Sequence, residues 1–262
     1  FKNGVSLNKD TNKRIAAVLP VHVWGNACNL DQLINICDER NIAIVEDATE
    51  SLGTIYTRGR LAGKHTGTIG KLGCLSFNGN KIITSGGGGM ILTNQKDLAD
   101  KARYITTQAK DDPVKYIHNK IGYNYRLTNI QAALGVAQLE QLSKFLNQKE
   151  QINKFYKEKV KKLDGYKIAP SPDYAKNNSW LNILRISEKK SSSVEFLMNK
   201  FTENGIQTRP VWYLNHLQKP YEKYFDYLID KAIHLHASSL CLPSSVNLNE
   251  QDCSRVISIL NE

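Results

Sequence analysis

IAIVEDATESLG (42–53) and LSFNGNKIITSGGGGMIL (75–92) are the two stretches of this 262-residue chain that decide its fold. Each opens with an apolar run typical of a buried strand and continues into polar or glycine residues. The first run delivers Glu46 and Asp47 at its carboxyl end, and the second leads into a turn that presents Lys81. Because ligands of open α/β sheets bind outside the carboxyl ends of the strands, these residues form a candidate site. Taken singly, a carboxylate could instead cap the next helix, and the lysine could be an exposed turn residue.

The segments around these two stretches alternate between strand-like and helix-like patterns. Strands are predicted at 15–23, 42–46, 72–77 and 90–93, and helices at 30–41 and 95–107. This alternation predicts βαβ units, a mostly parallel sheet and the α/β class. Asn29 or Asp31 is the predicted cap of the first helix.

A longer helical pattern and a second set of elements follow. One long helix is predicted from 128 to about 163, started by a capping box of Thr128 and Gln131. Beyond it, strands are predicted at 180–186 and 206–212, and helices at 193–204 and, after an Asn249 cap, at 251–260. We therefore predict two domains: 1–145, the carboxyl-terminal part of a large α/β domain, and 146–262, a small α+β domain.

Composition narrows the functional classes. The formal charge is +10, but the lysines are spread along amphipathic stretches and mixed with acids, which favours solvated helix faces over a nucleic-acid surface. A positive field would also help to capture an anionic substrate. No apolar run is long enough to cross a bilayer and no secretory signal is visible. Five scattered cysteines without a C-x-x-C pair suit a reducing cytoplasm and argue against a disulfide framework and a zinc ribbon, and no metal site is predicted.

The pairing of Asp47 with Lys81 narrows the chemistry further. Neither a P-loop nor a G-x-G-x-x-G fingerprint is present. Enzymes that use pyridoxal phosphate need a lysine for the Schiff base and an acid that keeps the pyridine nitrogen protonated. An acid and a lysine at the ends of two strands of one sheet meet that need.

Six motifs, in order, resemble the sugar aminotransferases of the DegT/DnrJ/EryC1/StrS group. They are VLPVHVWGNACNLDQL (18–33), VEDATESLG (45–53), GRLAGKHTGTIGKLGCLSFNGNK (59–81), GYNYRLTNIQAALGVAQL (122–139), NGIQTRPVWYLNHLQKPY (204–221) and SLCLPSS (239–245). The resemblance covers nearly the whole chain. It implies fold-type I, the architecture of aspartate aminotransferase, and pyridoxal 5'-phosphate as cofactor.

Carried onto matching positions, the resemblance assigns five cofactor residues. It implies that Lys81 forms the Schiff base, that Asp47 pairs with the pyridinium and that Glu50 lies against the ring. Ser76 matches a phosphate-binding hydroxyl, and Asn124 matches a residue that reaches the cofactor phosphate of a neighbouring subunit. The resemblance therefore implies a homodimer with shared active sites.

The resemblance also implies an activity. Relatives that are dehydratases carry histidine in place of the lysine, so Lys81 favours transamination from glutamate to the C4 ketone of a nucleotide-linked 4-keto-6-deoxy sugar. The subgroup most similar in detail acts on UDP-linked N-acetylhexosamines of the bacillosamine and legionaminic acid pathways, in bacterial surface-glycan or amino-sugar biosynthesis. The predicted substrate-side residues are His22, Arg126, Arg209, Trp212 and His216.

Family members extend further upstream than this chain does. That segment carries a helix N-terminus that binds the cofactor phosphate and an aromatic residue that stacks on its ring. We therefore expect the natural protein to be longer than this N-terminally truncated chain. The alternative is a degenerate member, or an incompetent fragment, that retains only the fold and the dimer surface.

Overall fold

The computed structural model describes residues 1, 4–188, 190 and 193–261, which form two compact units. Unit 1 comprises Phe1–Leu146 with Ser171–Trp180, and unit 2 comprises Asn147–Pro170 with Leu181–Glu262. Compared with the predicted domains, unit 1 extends by one residue to Leu146 and also includes residues 171–180. A two-stranded ribbon explains why: within those residues, β7 (Ala175–Lys176) pairs antiparallel with β3 (Ile55–Tyr56).

Unit 1 contains a four-stranded sheet in the order β1-β2-β4-β5. Its strands are β1 (Ala17–Val18), β2 (Ala43–Asp47), β4 (Leu72–Ser76) and β5 (Gly89–Leu92). The first three are parallel, as predicted, whereas β5 runs antiparallel to β4. The connection to β5, residues 77–88, contains no helix, and a parallel return usually needs a helical crossover. The predicted strand 15–23 is shorter because Pro20 has no N–H to donate to a ladder.

The helices of unit 1 are α1 (Leu30–Glu39), α2 (Lys96–Thr106), α3 (Asn129–Glu140) and the start of α4 (Leu142–Val160). The first three begin within one residue of the predicted positions, whereas the start of α4 was not predicted. The Thr128–Gln131 capping box is confirmed, but Asn29 makes no side-chain cap bond. The prediction of one helix over 128–163 is wrong. At Gln141 the N–H donates to Gln138 O and Leu139 O, a tightened turn that ends α3 and that apolar spacing alone does not reveal.

Unit 2 is an antiparallel sheet packed against helices. Its strands, in the order β6-β8-β10-β9, are β6 (Tyr166–Ile168), β8 (Asn182–Ile186), β10 (Ser239–Leu242) and β9 (Arg209–Pro210). Its helices are the end of α4, α5 (Val194–Glu203), α6 (Asp230–Ala237) and α7 (Glu250–Asn261). The predicted strand 206–212 reduces to β9, which ends at a proline. One sheet face supplies Leu184 and Leu240 to a core that also contains Tyr156 and Phe201.

Candidate active site

Asp47 and Ser76 lie at the same edge of the unit 1 sheet. Asp47 is the last residue of β2 and pairs in register with Cys74 of the neighbouring parallel strand β4, which ends two residues later at Ser76. The Asp47 carboxylate accepts hydrogen bonds from the N–H of Thr49 at 3.1 Å and from its hydroxyl at 2.7 Å. This local turn orients the carboxylate at the carboxyl end of the strand, as the sequence predicts.

Lys81 follows the turn after β4, and its side chain is mostly buried. Its Nζ lies 3.8 Å from Glu50 Oε1 and 4.4 Å from the centroid of the Trp180 ring. The same indole donates from Nε1 to the carbonyl of Asn80 at 2.8 Å, which ties the turn to Trp180. The ammonium group is thus held between a carboxylate and an aromatic face, a favourable arrangement for a cation. Sequence reasoning missed Trp180, because only the fold brings it next to Lys81.

Glu50 is oriented by a second residue that sequence reasoning missed. Its Oε2 accepts the backbone N–H of Trp24 at 2.7 Å. Trp24 has a φ of 57°, which lies in the left-handed region that non-glycine residues rarely adopt. Its indole Nε1 is buried and has no acceptor among the residues that the structure describes. Strained backbone of this kind is concentrated at functional sites. Because this strain is visible only in the structure, no sequence signal pointed to Trp24.

His22 does not fit the substrate-side role predicted for it. The side chain is fully buried, and its Nδ1 accepts the Cys28 N–H at 3.0 Å. The proton is therefore assigned to Nε2, which donates to Glu46 Oε2 at 3.0 Å. With both nitrogens engaged inside the protein, His22 has no group left for a substrate. We do not carry it into the proposed substrate site.

The other predicted residues lie at exposed or separate places. Asn124 and Arg126 are exposed on the segment before α3, where Asn124 forms an isolated bridge with Thr107. Arg209 lies on β9, and Trp212 and His216 lie on the segment that follows it, all in unit 2. The structure therefore brings together Lys81 and Glu50, with Asp47 and Ser76 at the adjoining strand ends. The roles predicted for these four residues, for Asn124 and Arg126, and for the unit 2 residues stay predictions.

These residues suit pyridoxal phosphate as a bound group. A mostly buried amine can form the Schiff base, a carboxylate at a strand end can pair with the pyridinium, and a hydroxyl on the next strand can bind an anion. The buried Trp24 Nε1 offers a further donor without an acceptor among the described residues. A lysine and a carboxylate placed in this way define the class of lysine-dependent cofactor enzymes built on an α/β sheet.

The chain belongs to the DegT/DnrJ/EryC1/StrS aminotransferase family, whose model matches residues 5–261. It is 36% identical over 248 residues to EpsN of Bacillus subtilis, named a putative pyridoxal phosphate-dependent aminotransferase, covering 93% of this chain and 62% of that protein. It is 35% identical to the GDP-perosamine synthase of Escherichia coli O157:H7, covering 97% of this chain and 67% of that protein. The chain thus spans roughly two thirds of the length of these relatives.

Solved structures share the fold. An aminotransferase of this family from Brucella abortus superposes with a TM-score of 0.84 at 25% identity, covering 97% of this chain and 65% of the other. DesI, solved with its TDP-sugar product, superposes with a TM-score of 0.86 at 25% identity, covering 96% of this chain and 63% of the other. The predicted family, fold-type I and pyridoxal phosphate as the cofactor of this kind of enzyme are confirmed.

No helix in the described part of the chain is long and apolar enough to span a membrane.

Proposed function

We propose that the protein containing this chain transfers an amino group from glutamate to the C4 ketone of a nucleotide-linked 4-keto-6-deoxy sugar, with pyridoxal phosphate on Lys81. One observation carries the proposal: a mostly buried lysine lies 3.8 Å from a carboxylate, beside the strand ends that present Asp47 and Ser76. An isolated surface lysine would need no such surroundings.

Each residue has a distinct part in this proposal. When bound, pyridoxal phosphate accepts the electrons of the bond that breaks at the amino-bearing carbon. Asp47 would hold the pyridine nitrogen protonated through its negative charge, and Ser76 would donate to the phosphate. The Lys81 amine would move a proton between the amino-bearing carbon and the cofactor in both half-reactions. Glu50 lies near enough to orient that amine by charge.

The names of relatives support the substrate class. The chain is 26% identical to a Campylobacter jejuni transaminase whose name specifies a UDP-linked 4-amino-4,6-dideoxy N-acetyl sugar. Perosamine synthases named for GDP and a DesI structure holding a TDP-sugar also match. We take the 4-amino-6-deoxy sugar as the product class and place the enzyme in amino-sugar or surface-glycan synthesis. The predicted substrate-side residues that remain are Arg126, Arg209, Trp212 and His216.

We also propose that the protein is a homodimer with active sites shared between subunits and that it works in the cytoplasm. Support for the dimer comes from α3, where none of the residues is buried and apolar side chains such as Ile130 and Val136 are exposed. Exposed apolar patches of this kind are typical of protein interfaces. Asn124 is exposed just before this helix, as a residue that reaches a partner would be.

The proposal of a cytoplasmic location is supported by the cysteines. All five are free thiols, which suits a reducing compartment.

Mass spectrometry of a coupled reaction tests the activity. The protein is incubated with pyridoxal phosphate, glutamate and a nucleotide-linked 4-keto-6-deoxy sugar, and 2-oxoglutarate and the amino sugar are measured together. We expect equal amounts of both products, loss of both in Lys81→Ala, and full activity in the control Lys64→Ala, which changes an exposed lysine. Equal turnover by the Lys81→Ala protein would contradict the proposal.

A further inference from the structure

We propose that Glu46, held by His22, is the positioning residue of the Lys81 site. By anchoring the turn at residues 22–25 it places the Trp24 N–H against Glu50, and by anchoring residues 67–70 it fixes the approach to the strand that carries Ser76. The relevance of this residue to catalysis rests on the proposed function, but the geometry it imposes can be measured without cofactor.

The Glu46 carboxylate collects four hydrogen bonds in a fully buried position. Oε1 accepts the N–H groups of Ile69 and Gly70, each at 2.6 Å, and Oε2 accepts the Gly67 N–H at 2.8 Å. His22 Nε2 supplies the fourth, at 3.0 Å, to Oε2. Burial opposes the charge, but these hydrogen bonds outweigh it and hold the pKa of Glu46 below its ordinary value. Glu46 is therefore ionised at neutral pH and joins three chain segments.

Glycines allow residues 67–70 to lie close enough to Glu46 for these hydrogen bonds. A Cβ at Gly73 would lie 1.9 Å from the carbonyl oxygen of Gly67, and one at Gly70 would lie 2.7 Å from the carbonyl oxygen of Ile44. Gly67 itself has a φ of 83°, in the region that favours glycine. Gly67, Gly70 and Gly73 thus let this segment present its backbone N–H groups to one buried carboxylate.

A second series of contacts connects His22 with Lys81. The His22 N–H donates to the carbonyl of Asp47 at 3.0 Å, so backbone and ring both attach His22 to the end of β2. Two residues later, the turn presents the Trp24 N–H to Glu50 Oε2 at 2.7 Å, and Oε1 of the same carboxylate lies 3.8 Å from Lys81 Nζ. Release of His22 would free the turn and with it the orientation of Glu50.

A carboxylate is required because an amide cannot satisfy the same donors. The side chain of glutamine has one acceptor oxygen, and its NH₂ group would meet N–H donors that now face the second oxygen. Unpaired buried donors are costly, so the segment must move. Glu46→Gln should therefore displace the Trp24 turn, although Glu46 itself is hydrogen-bonded to neither Trp24 nor Glu50.

Backbone NMR of protein labelled with ¹⁵N-tryptophan provides the test, using the whole chain without cofactor. Its three tryptophans give three backbone amide signals, assigned with Trp24→Phe. A charge-assisted hydrogen bond moves an amide proton downfield, so Glu50→Gln sets the reference for loss of that bond. We expect Glu46→Gln to shift the Trp24 amide proton by more than half of that reference change. The Trp180 and Trp212 signals should stay in place, and Glu140→Gln, on the exposed surface, should move none of the three.

A second variant covers a failure of Glu46→Gln to fold. His22→Asn keeps an acceptor for the Cys28 N–H but shortens the reach to Glu46, and it should move the Trp24 signal in the same direction. An unchanged Trp24 signal in a folded Glu46→Gln or His22→Asn protein would overturn the inference. Because no cofactor is present, this result is independent of whether Lys81 binds pyridoxal phosphate.

Discussion

We expect the stability of unit 2 to increase with pH in the alkaline range because of the buried Lys149. Its side chain is buried, with only 6% of the residue exposed, and its ammonium group donates to the carbonyl of Ser244. Burial lowers its pKa from 10.5 to about 8. In the unfolded chain the amine binds its proton more tightly, so the unfolded state holds more protons between these two values. Stability must therefore rise as the pH increases from about 8 towards 10.5.

The size of the effect follows from the two pKa values. At about 1.4 kcal/mol per pH unit, their difference corresponds to about 3 kcal/mol, most of which is recovered between roughly pH 7 and pH 10. Lys149→Met removes this titration but also removes a hydrogen bond. We therefore expect the unfolding free energy of the wild type, minus that of Lys149→Met, to increase by about 2 to 3 kcal/mol over that range.

Urea unfolding followed by circular dichroism at several pH values gives the comparison. Other titrating groups are present in both proteins and cancel in the difference. Lys154→Met is the control, because Lys154 lies on the same helix but is exposed and pairs with Glu150. Its difference from wild type should stay constant with pH. If the difference in unfolding free energy between wild type and Lys149→Met is also constant with pH, the reasoning that burial lowers the pKa of Lys149 is refuted.

Three further predictions concern the glycine contact at Gly73, the Thr128 cap and the buried Cys28 thiol. Gly73→Ala should destabilise unit 1 by about 2 to 4 kcal/mol in thermal unfolding, because its Cβ would meet the Gly67 carbonyl, whereas Gly79→Ala, with no heavy atom within 4 Å, should be nearly neutral. Thr128→Ala should cost about 1 kcal/mol by removing the capping box, and Thr128→Ser should restore most of it. Burial, and then the nearby charge of Glu46, raises the pKa of the Cys28 thiol to about 11. Iodoacetamide at neutral pH should therefore label Cys28 only after unfolding, as read by peptide mass mapping.

The elements around the site could be predicted because their signals are local. The apolar runs that become β2 and β4 are bounded by polar residues and turns, and the parallel order of these strands places Asp47 and Ser76 at one edge. The Thr128 capping box is likewise a contact over three residues. Lys81 could be proposed from the sequence because it follows the second apolar strand, pairs with Asp47 at the end of the first, and lies in a motif that the family shares.

What could not be predicted depends on contacts between distant segments. Trp180 lies 100 residues from the Asn80 carbonyl that it binds, and no periodicity links the two. His22 was misassigned for a similar reason. A histidine in a polar motif gives no sign that it will be fully buried beside Glu46, 24 residues away. The break at Gln141 was missed because a change of a single turn leaves the apolar spacing nearly intact.

Borohydride trapping of pyridoxal phosphate, followed by peptide mapping, tests the central claim that Lys81 carries the cofactor. The protein is mixed with pyridoxal phosphate, its absorbance is recorded for a Schiff-base band that glutamate removes, and the imine is then reduced to a stable label. We expect the label on the peptide containing Lys81, with no band in Lys81→Ala and an unchanged band in Lys64→Ala. A band that persists in Lys81→Ala, a label on another lysine, or no label at all would contradict the account.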